Sequence, residues 1–367
     1  MYIHEQEGWP DFGWDQLRIA DLLAEARYLQ GRLLGHMGAL GFQLKEEATL
    51  RTLTQDVIKT SEIEGEQLEY EQVRSSLAKR LGIDIKTFSH TGRNVDGIVE
   101  IMLDATQNYD IPLTTKRLFN WHAALFPTGR NGMQFITVGK WRDKKSGVMQ
   151  VVSGPMGHEK VHYEAPAYNR LAKEMSCFIK WYNSKSKIDP VIKSALAHFW
   201  FVTIHPFDDG NGRIGRALAD MMLARCEKTV QRFYSMSAQI QKERKEYYNI
   251  LENSQKNTMD ITIWIEWYLN CFKRAVELSE QTLEVVLVKA RFWERHAEDS
   301  LNERQKTIIN RLLDGFDGKL NSSKWAKICK CSQDTALRDI NDLVNRQILD
   351  KDYAGGRSTS YTLHTGS

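Results

Sequence analysis

The longest apolar run of the chain, "ALAHFWFVTI" from Ala195 to Ile204, stops against the string "HPFDDGNGRIGR" at residues 205–216. Ten residues are far too few to cross a bilayer, which takes about 20. With the preceding "VIKS" they follow helical periodicity, and Pro206 disfavours a helical backbone at His205, so a helix is expected to end there. Gly210, Asn211 and Gly212 permit unusual backbone angles and present three successive N–H groups. Helical residues resume directly afterwards. Those N–H groups therefore sit at a helix N-terminus, where orphan donors and the helix dipole bind anions. Arg213 and Arg216, three apart, add two guanidinium forks on one face of the first turn.

The rest of the string supplies chemistry. Phe207 is apolar and can anchor the loop to a core. Asp209 can hold Mg²⁺ against the oxygens of a polyphosphate, which arginines alone do not orient. His205, with an ordinary pKa near neutrality, can take a proton from an incoming hydroxyl. An anion nest, two arginines, a carboxylate and a histidine together describe a phosphate-transfer site. The competing structural explanation is a glycine-rich helix start with surface arginines and a core-facing histidine.

The whole string resembles the Fic-family signature, His-x-Phe-x-acidic-Gly-Asn-Gly-Arg-x-x-Arg, with every specified position present. The resemblance extends over about residues 86–285 and includes "MQFITVGKWR", with Gly139 and Arg142, and "YEAPAYNRLAKEMSCFIKWYN", with Pro166. It implies an all-helical domain that transfers AMP from ATP to a Ser, Thr or Tyr hydroxyl of a target protein. In that scheme His205 is the general base and Asp209 holds Mg²⁺. Gly210, Asn211 and Gly212 form the anion hole, Arg213 supports the phosphates, and Arg216 reaches the γ-phosphate. One of Tyr247 and Tyr248 lies near the nucleoside. The segment "GVMQVVSG", Gly147 to Gly154, is the implied flap, whose main chain pairs with an extended target segment.

Upstream, "TSEIEG" is similar to the inhibitory helix of many Fic proteins, Ser/Thr-x-x-x-Glu-Gly/Asn, with Thr60, Glu64 and Gly65 in place. The implied role of Glu64 is to pair with Arg216 and displace the γ-phosphate. The opening "YIHEQEGWPDFGWD" resembles the N-terminal element of a bacterial Fic subgroup, and its aromatics Trp9, Phe12 and Trp14 are expected to pack on the domain. His122 and His198 read as core or supporting residues, not metal ligands.

Around these motifs the chain reads as mainly α. Amphipathic helices fill Trp14 to about Leu81, Val95–Asn108, Arg216–Cys226, Lys242–Lys256 and Ile261 to about Arg295. Between Pro127 and Pro166, "MQFITVGKWR" and "SGVMQVVSG" favour strands, with "DKKSG" as the turn between them. The last seventy residues give three helices, the third capped by Ser332, and a Gly-turned ribbon, which is the winged helix-turn-helix plan. Three segments follow: an N-terminal helical region with the inhibitory helix at 1–85, a Fic domain at 86–295 and the winged helix at 296–367. Gln333, Thr335, Arg338, Asn341 and Arg357 would face a DNA duplex, whereas Asp334, Asp339 and Asp342 would repel it. A protein-contact or dimer-forming role therefore stands beside DNA binding, and Fic relatives often form dimers.

Fifty Lys+Arg against 47 Asp+Glu leave a formal charge of +3, which points to no partner. The five cysteines are odd in number and show no zinc spacing, and the N-terminus lacks a signal-peptide pattern. A cytoplasmic protein with reduced thiols is expected. Three function classes remain: an autoinhibited protein adenylyltransferase using ATP and Mg²⁺; the same site removing AMP or transferring another phosphate-containing group; and a non-enzymatic, ATP-sensing regulator.

Overall fold

In a computed structural model the chain forms two compact units, Met1–Ser279 and Glu280–Ser367. The structure describes residues 1–38, 41–84, 91–132, 134–154, 158, 160–256, 258–313, 316, 318–352 and 359–364. The first unit is built on helices α1 (Gln16–Gly38), α2 (Phe42–Ile63), α3 (Tyr70–Leu81), α4 (Arg93–Gln107) and α5 (Thr115–Leu125). After the short strands β1 (Arg130–Asn131), β2 (Gln134–Phe135), β3 (Gln150–Ser153) and β4 (Lys160–Glu164), helices return as α6 (Leu171–Asn183), α7 (Pro190–Ile204) and α8 (Asn211–Glu227). Then come α9 (Met236–Lys242), α10 (Arg244–Lys256) and α11 (Thr262–Arg295), the last running past the unit boundary.

The apolar run explains the centre of this unit. Every residue of α7 from Val191 to Ile204 is buried, as a helix apolar on all faces must be. Asp189 caps its start, accepting from the Val191 N–H at 2.8 Å, and Pro190 fills the first position, where a missing N–H costs nothing. Helix α8 lies against α7 at close range: a Cβ on Gly215 would stand 2.8 Å from Val202 Cγ1. Helix α8 starts at Asn211, five residues earlier than the sequence pattern suggests, so both arginines of the string fall inside its first two turns. Of the N-terminal aromatics, Trp9 donates to Glu174 Oε2 at 2.8 Å and Phe12 packs edge-on against Phe199 and Trp200.

The strand region departs from the sequence expectation. The hairpin is β3 with β4, in the register Gln150↔Glu164, Val151↔Tyr163, Val152↔Val161 and Ser153↔Lys160, with an irregularity between Val151 and Val152. The upstream stretch does not supply its partner strand. Gln134–Phe135 pairs with Arg130–Asn131, and "DKKSG" is a short 3-10 turn, Lys144–Ser146, capped by Asp143. The physical reason lies in Arg142, whose N–H and guanidinium are committed to the carbonyls of Pro206, His205 and Pro166.

The second unit contains α12 (Glu303–Leu313), α13 (Ser322–Cys329), α14 (Gln333–Asn345) and an antiparallel pair, β5 (Leu349–Lys351) with β6 (Tyr361–Leu363). Trp325, Ile308, Ile340 and Leu343 are fully buried in its core. Lys330, Cys331 and Ser332 join α13 to α14, and the Ser332 hydroxyl caps α14 by accepting from the Thr335 N–H at 3.2 Å. Gln333, Arg338 and Asn341 are exposed. Asp339 turns inward and pairs with Arg304 at 2.7 Å, and Asp342 binds Arg346 and Gln305, so neither is an open charge on that helix. Arg357 lies outside the described residues. All five cysteines are free thiols, and no described helix is long and apolar enough to cross a membrane.

Candidate active site

The junction between α7 and α8 builds the site. His205 caps α7 in the left-handed region, φ 51° and ψ 59°, with its N–H bonded to the Phe201 carbonyl at 3.0 Å. Its ring Nδ1 lies 3.1 Å from the Val202 carbonyl. A carbonyl only accepts, so Nδ1 carries the proton and Nε2 keeps its lone pair. Burial pushes the pKa of His205 down to about 4, against the opposing pull of the Val202 carbonyl, so the ring is neutral at pH 7. Arg142, 2% exposed, donates from Nε to the His205 carbonyl at 2.8 Å and from its N–H to Pro206 at 2.9 Å. Burial lowers its pKa to about 10, which still leaves it cationic at neutral pH.

Phe207 is fully buried and stacks on His122, with ring centroids 4.1 Å apart. The Asn211 side chain closes the loop onto itself, accepting from the Phe207 N–H at 3.0 Å and donating to the Phe207 carbonyl at 2.8 Å. Asn211 thus offers its N–H to the nest while its amide is spent on loop shape. Gly210 starts α8 with φ 80°, a backbone that disfavours side chains.

The two aspartates divide their work. Asp208 accepts from the Thr137 N–H at 3.0 Å and from the Ser146 hydroxyl at 2.5 Å, tying the segment before the hairpin to the motif. Asp209 accepts from Asn131 Nδ2 at 2.6 Å and from the Gly210 N–H at 2.5 Å, and its Oδ1 lies 3.9 Å from Arg213 Nη2. Among the described residues no group of three or more His, Cys, Asp and Glu could hold a metal. One partly exposed carboxylate beside a phosphate nest nonetheless fits Mg²⁺, which commonly takes one or two carboxylates and completes its shell with phosphate oxygens and water.

His122 holds this aspartate in place. Its Nδ1 accepts from the Gly139 N–H at 3.2 Å, so Nε2 carries the proton and donates to the Asp209 carbonyl at 3.2 Å. Burial pushes its pKa to about 4, and that of His198, 3.0 Å from the Tyr247 hydroxyl, to about 3. Both rings are fully buried. Below pH 6.5 the unfolded chain therefore takes up protons that the folded chain refuses. The stability these neutral rings contribute is complete above pH 6.5 and lost as pH falls towards the folded values. We expect about 2 kcal/mol of stability to disappear between pH 6.5 and 5.5 from the pair, at ~1.4 kcal/mol per pH unit and group at full effect. Urea midpoints at the two pH values measure it; equal midpoints would contradict neutral burial.

The end of α2 completes the site. Glu64 is its C-cap, and Gly65, at φ 87°, turns the chain so that the Glu66 N–H returns to the Ser61 carbonyl at 3.0 Å. Glu64 Oε1 accepts from Arg216 Nη2 at 2.7 Å. A Cβ built on Gly212 would stand 2.2 Å from that same oxygen, so the carboxylate rests on the nest itself. Arg216 is 2% exposed and also donates to the Thr60 hydroxyl at 2.7 Å and the Thr60 carbonyl at 2.9 Å. Tyr248 and Arg244 bond the Ile63 carbonyl at 3.4 and 2.8 Å, and Tyr247 reaches His198, so the tyrosine pair borders the same helix end. Arg213 gives Nη1 to both oxygens of Glu66, at 2.9 and 2.8 Å.

The structure thus brings Thr60, Glu64, Gly65, Gly212 and Arg216 to one point, with His205, Asp209, Gly210, Asn211 and Arg213 on the same junction. Three contributors are not evident from the sequence, Glu66, Asp208 and Asn131; His122, read there as a core or supporting residue, also bridges Gly139 and Asp209. Glu66 had a signal, since acids two apart at 64 and 66 face arginines three apart at 213 and 216. Of the expected flap, Gly147–Gly154, residues 150–153 are β3; Val148 and Val152 are exposed, and among the described residues β3 pairs with β4 alone.

The helical core thus sets a neutral histidine beside a helix N-terminus and two buried arginines at one loop, an arrangement suited to an anion. Residues 112–223 match the model described as the Fic/DOC family. Residues 2–83 match a second model, a domain of unknown function, DUF4172. Proteins named Protein adenylyltransferase Fic from Drosophila yakuba and Drosophila melanogaster are each 29% identical over 277 residues, 70% of this chain and 50% of theirs. The chain spans about half the length of the curated relatives it matches. A solved Fic family protein from Desulfovibrio desulfuricans G20 superposes with a TM-score of 0.54 at 21% identity, covering 95% of this chain and 96% of that one. Fic-1 from C. elegans gives 0.51 at 19%, covering 73% and 74%. These two likenesses support the helical fold.

Proposed function

We propose that this chain is a protein adenylyltransferase that moves AMP from ATP to a protein hydroxyl and is held inactive by Glu64. One observation carries the reading: an anion nest at the start of α8, with a neutral histidine beside it, has a carboxylate of the same chain seated on it. A carboxylate there is an anion in an anion site, and it takes the guanidinium that a terminal phosphate would need.

The step balances simply. The target hydroxyl oxygen attacks the α-phosphorus of ATP, its proton passes to Nε2 of His205, and the bond from the α-phosphorus to the bridging oxygen breaks. Protein-linked AMP and pyrophosphate result. The N–H groups of Asn211 and Gly212 offset negative charge on the phosphates, that of Gly210 being given to Asp209, and Arg213 and Arg216 hold the chain of phosphates straight. Mg²⁺, with Asp209 as its protein carboxylate, supplies further charge neutralisation when bound. The exposed edge of β3 accepts an extended target segment by main-chain pairing, which aligns a hydroxyl with few demands on sequence.

Incubating the Glu64→Gly protein with ATP labelled at the α- or the γ-phosphate tests this. Label from the α-position alone should appear on protein; label from the γ-position would make the protein a kinase and reject the assignment.

A further inference from the structure

We propose that Glu66 is a second inhibitory carboxylate, holding Arg213 as Glu64 holds Arg216; this rests on the reading of the site as an ATP-consuming one. The two locks are built by one short turn. Gly65 reverses the chain at φ 87°, and the bond from the Glu66 N–H to the Ser61 carbonyl fixes where the next side chain leaves. Glu64 and Glu66 therefore emerge two residues apart, opposite two arginines one helical turn apart on α8.

Arg213 is 4% exposed, and its Nη1 is given wholly to Glu66 in a contact to both carboxylate oxygens. Its Nη2 lies 3.9 Å from Asp209, and its Nε is buried without a partner. The guanidinium is pinned against the Phe126 ring, 5.3 Å from its centroid. An arginine so confined cannot swing to a phosphate while keeping Glu66; Nη1 must leave one to serve the other. Glu66 is also acid in a place where an acid gains nothing from its helix, since the C-terminal end of α2 carries partial negative charge. Its compensation is Arg213.

Removing Glu64 alone would then leave the site half restrained. The second pair is the weaker one, because the Glu66 side chain is 38% exposed. Replacing Glu66 by Gln in a Glu64→Gly protein should lower KM for ATP about fivefold with kcat little changed, the order expected for a half-exposed ion pair. Glu66→Ala should act in the same direction, and Glu69→Gln, an exposed acid nearby, should do nothing. Melting temperatures verify that each variant folds. A KM that stays put or rises in both Glu66 variants overturns the second lock, and a rise makes Glu66 a residue that positions Arg213. If Glu64→Gly itself labels no more protein than wild type, the inhibited-transferase reading fails first and takes this one with it. If Glu64→Gly labels more but Glu66 variants match it, only the second lock is lost.

Discussion

Removing the imidazole of His205 in the Glu64→Gly protein should lower labelling by about 10³-fold, within the range that a positioned general base supplies. Nε2 is the ring atom left with a lone pair, because Nδ1 is spent on the Val202 carbonyl. Two variants keep the result clean. Alanine removes the ring but must hold φ 51°, at a cost of roughly 1 kcal/mol; asparagine tolerates that backbone better and still supplies no base. Retention of more than about a tenth of the labelling in both, with unchanged melting, would remove His205 from the role. The pH profile offers a second reading of the same atom. With the pKa pushed down to about 4, the accepting form predominates from pH 5 upward, so the rate should stay level to pH 8 and fall about tenfold per unit below 4. An inflection near 6.5 would mean an unperturbed histidine.

The second large effect is release of the lock. Glu64→Gly should raise labelling about 10- to 100-fold, the size of a typical coupling between a site and its regulator. Glycine is well suited to the C-terminal end of a helix, so α2 keeps its stop while the carboxylate leaves the nest. Arg216 retains its two bonds to Thr60, which hold it in place for a phosphate. Gel autoradiography of wild type and variant at equal ATP decides the matter, and equal labelling would make Glu64 a bystander.

How much of this could be seen in the letters differs from residue to residue. The stop at His205-Pro206 was legible because proline acts on its neighbour locally, and the nest because three residues in a row specify it. The contact of Glu64 with Arg216 spans 152 positions, and only a resemblance to a known pattern suggested it. The partner of Glu66 depends on the turn at Gly65, which sets the side chain's direction only once α2 is packed. The true pairing of the hairpin is hidden in the sequence for a related reason. "MQFITVGKWR" has strand-like composition, but Arg142 serves the motif loop across 63 positions, and that tertiary demand outweighs local preference. His122 reads as a core residue and is one; that its two nitrogens join Gly139 to Asp209 follows from packing, not from spacing.

The left-handed backbone at His205 has a consequence for when its side chain is oriented. A strained residue at the mouth of the loop is paid for once, during folding, by Arg142 and the buried Phe207. Its orientation then requires no contribution from a bound ligand. On the proposed reading the base is aimed in advance, like a fixture clamped to the bench, and the task left for the bound substrates is to displace two glutamates.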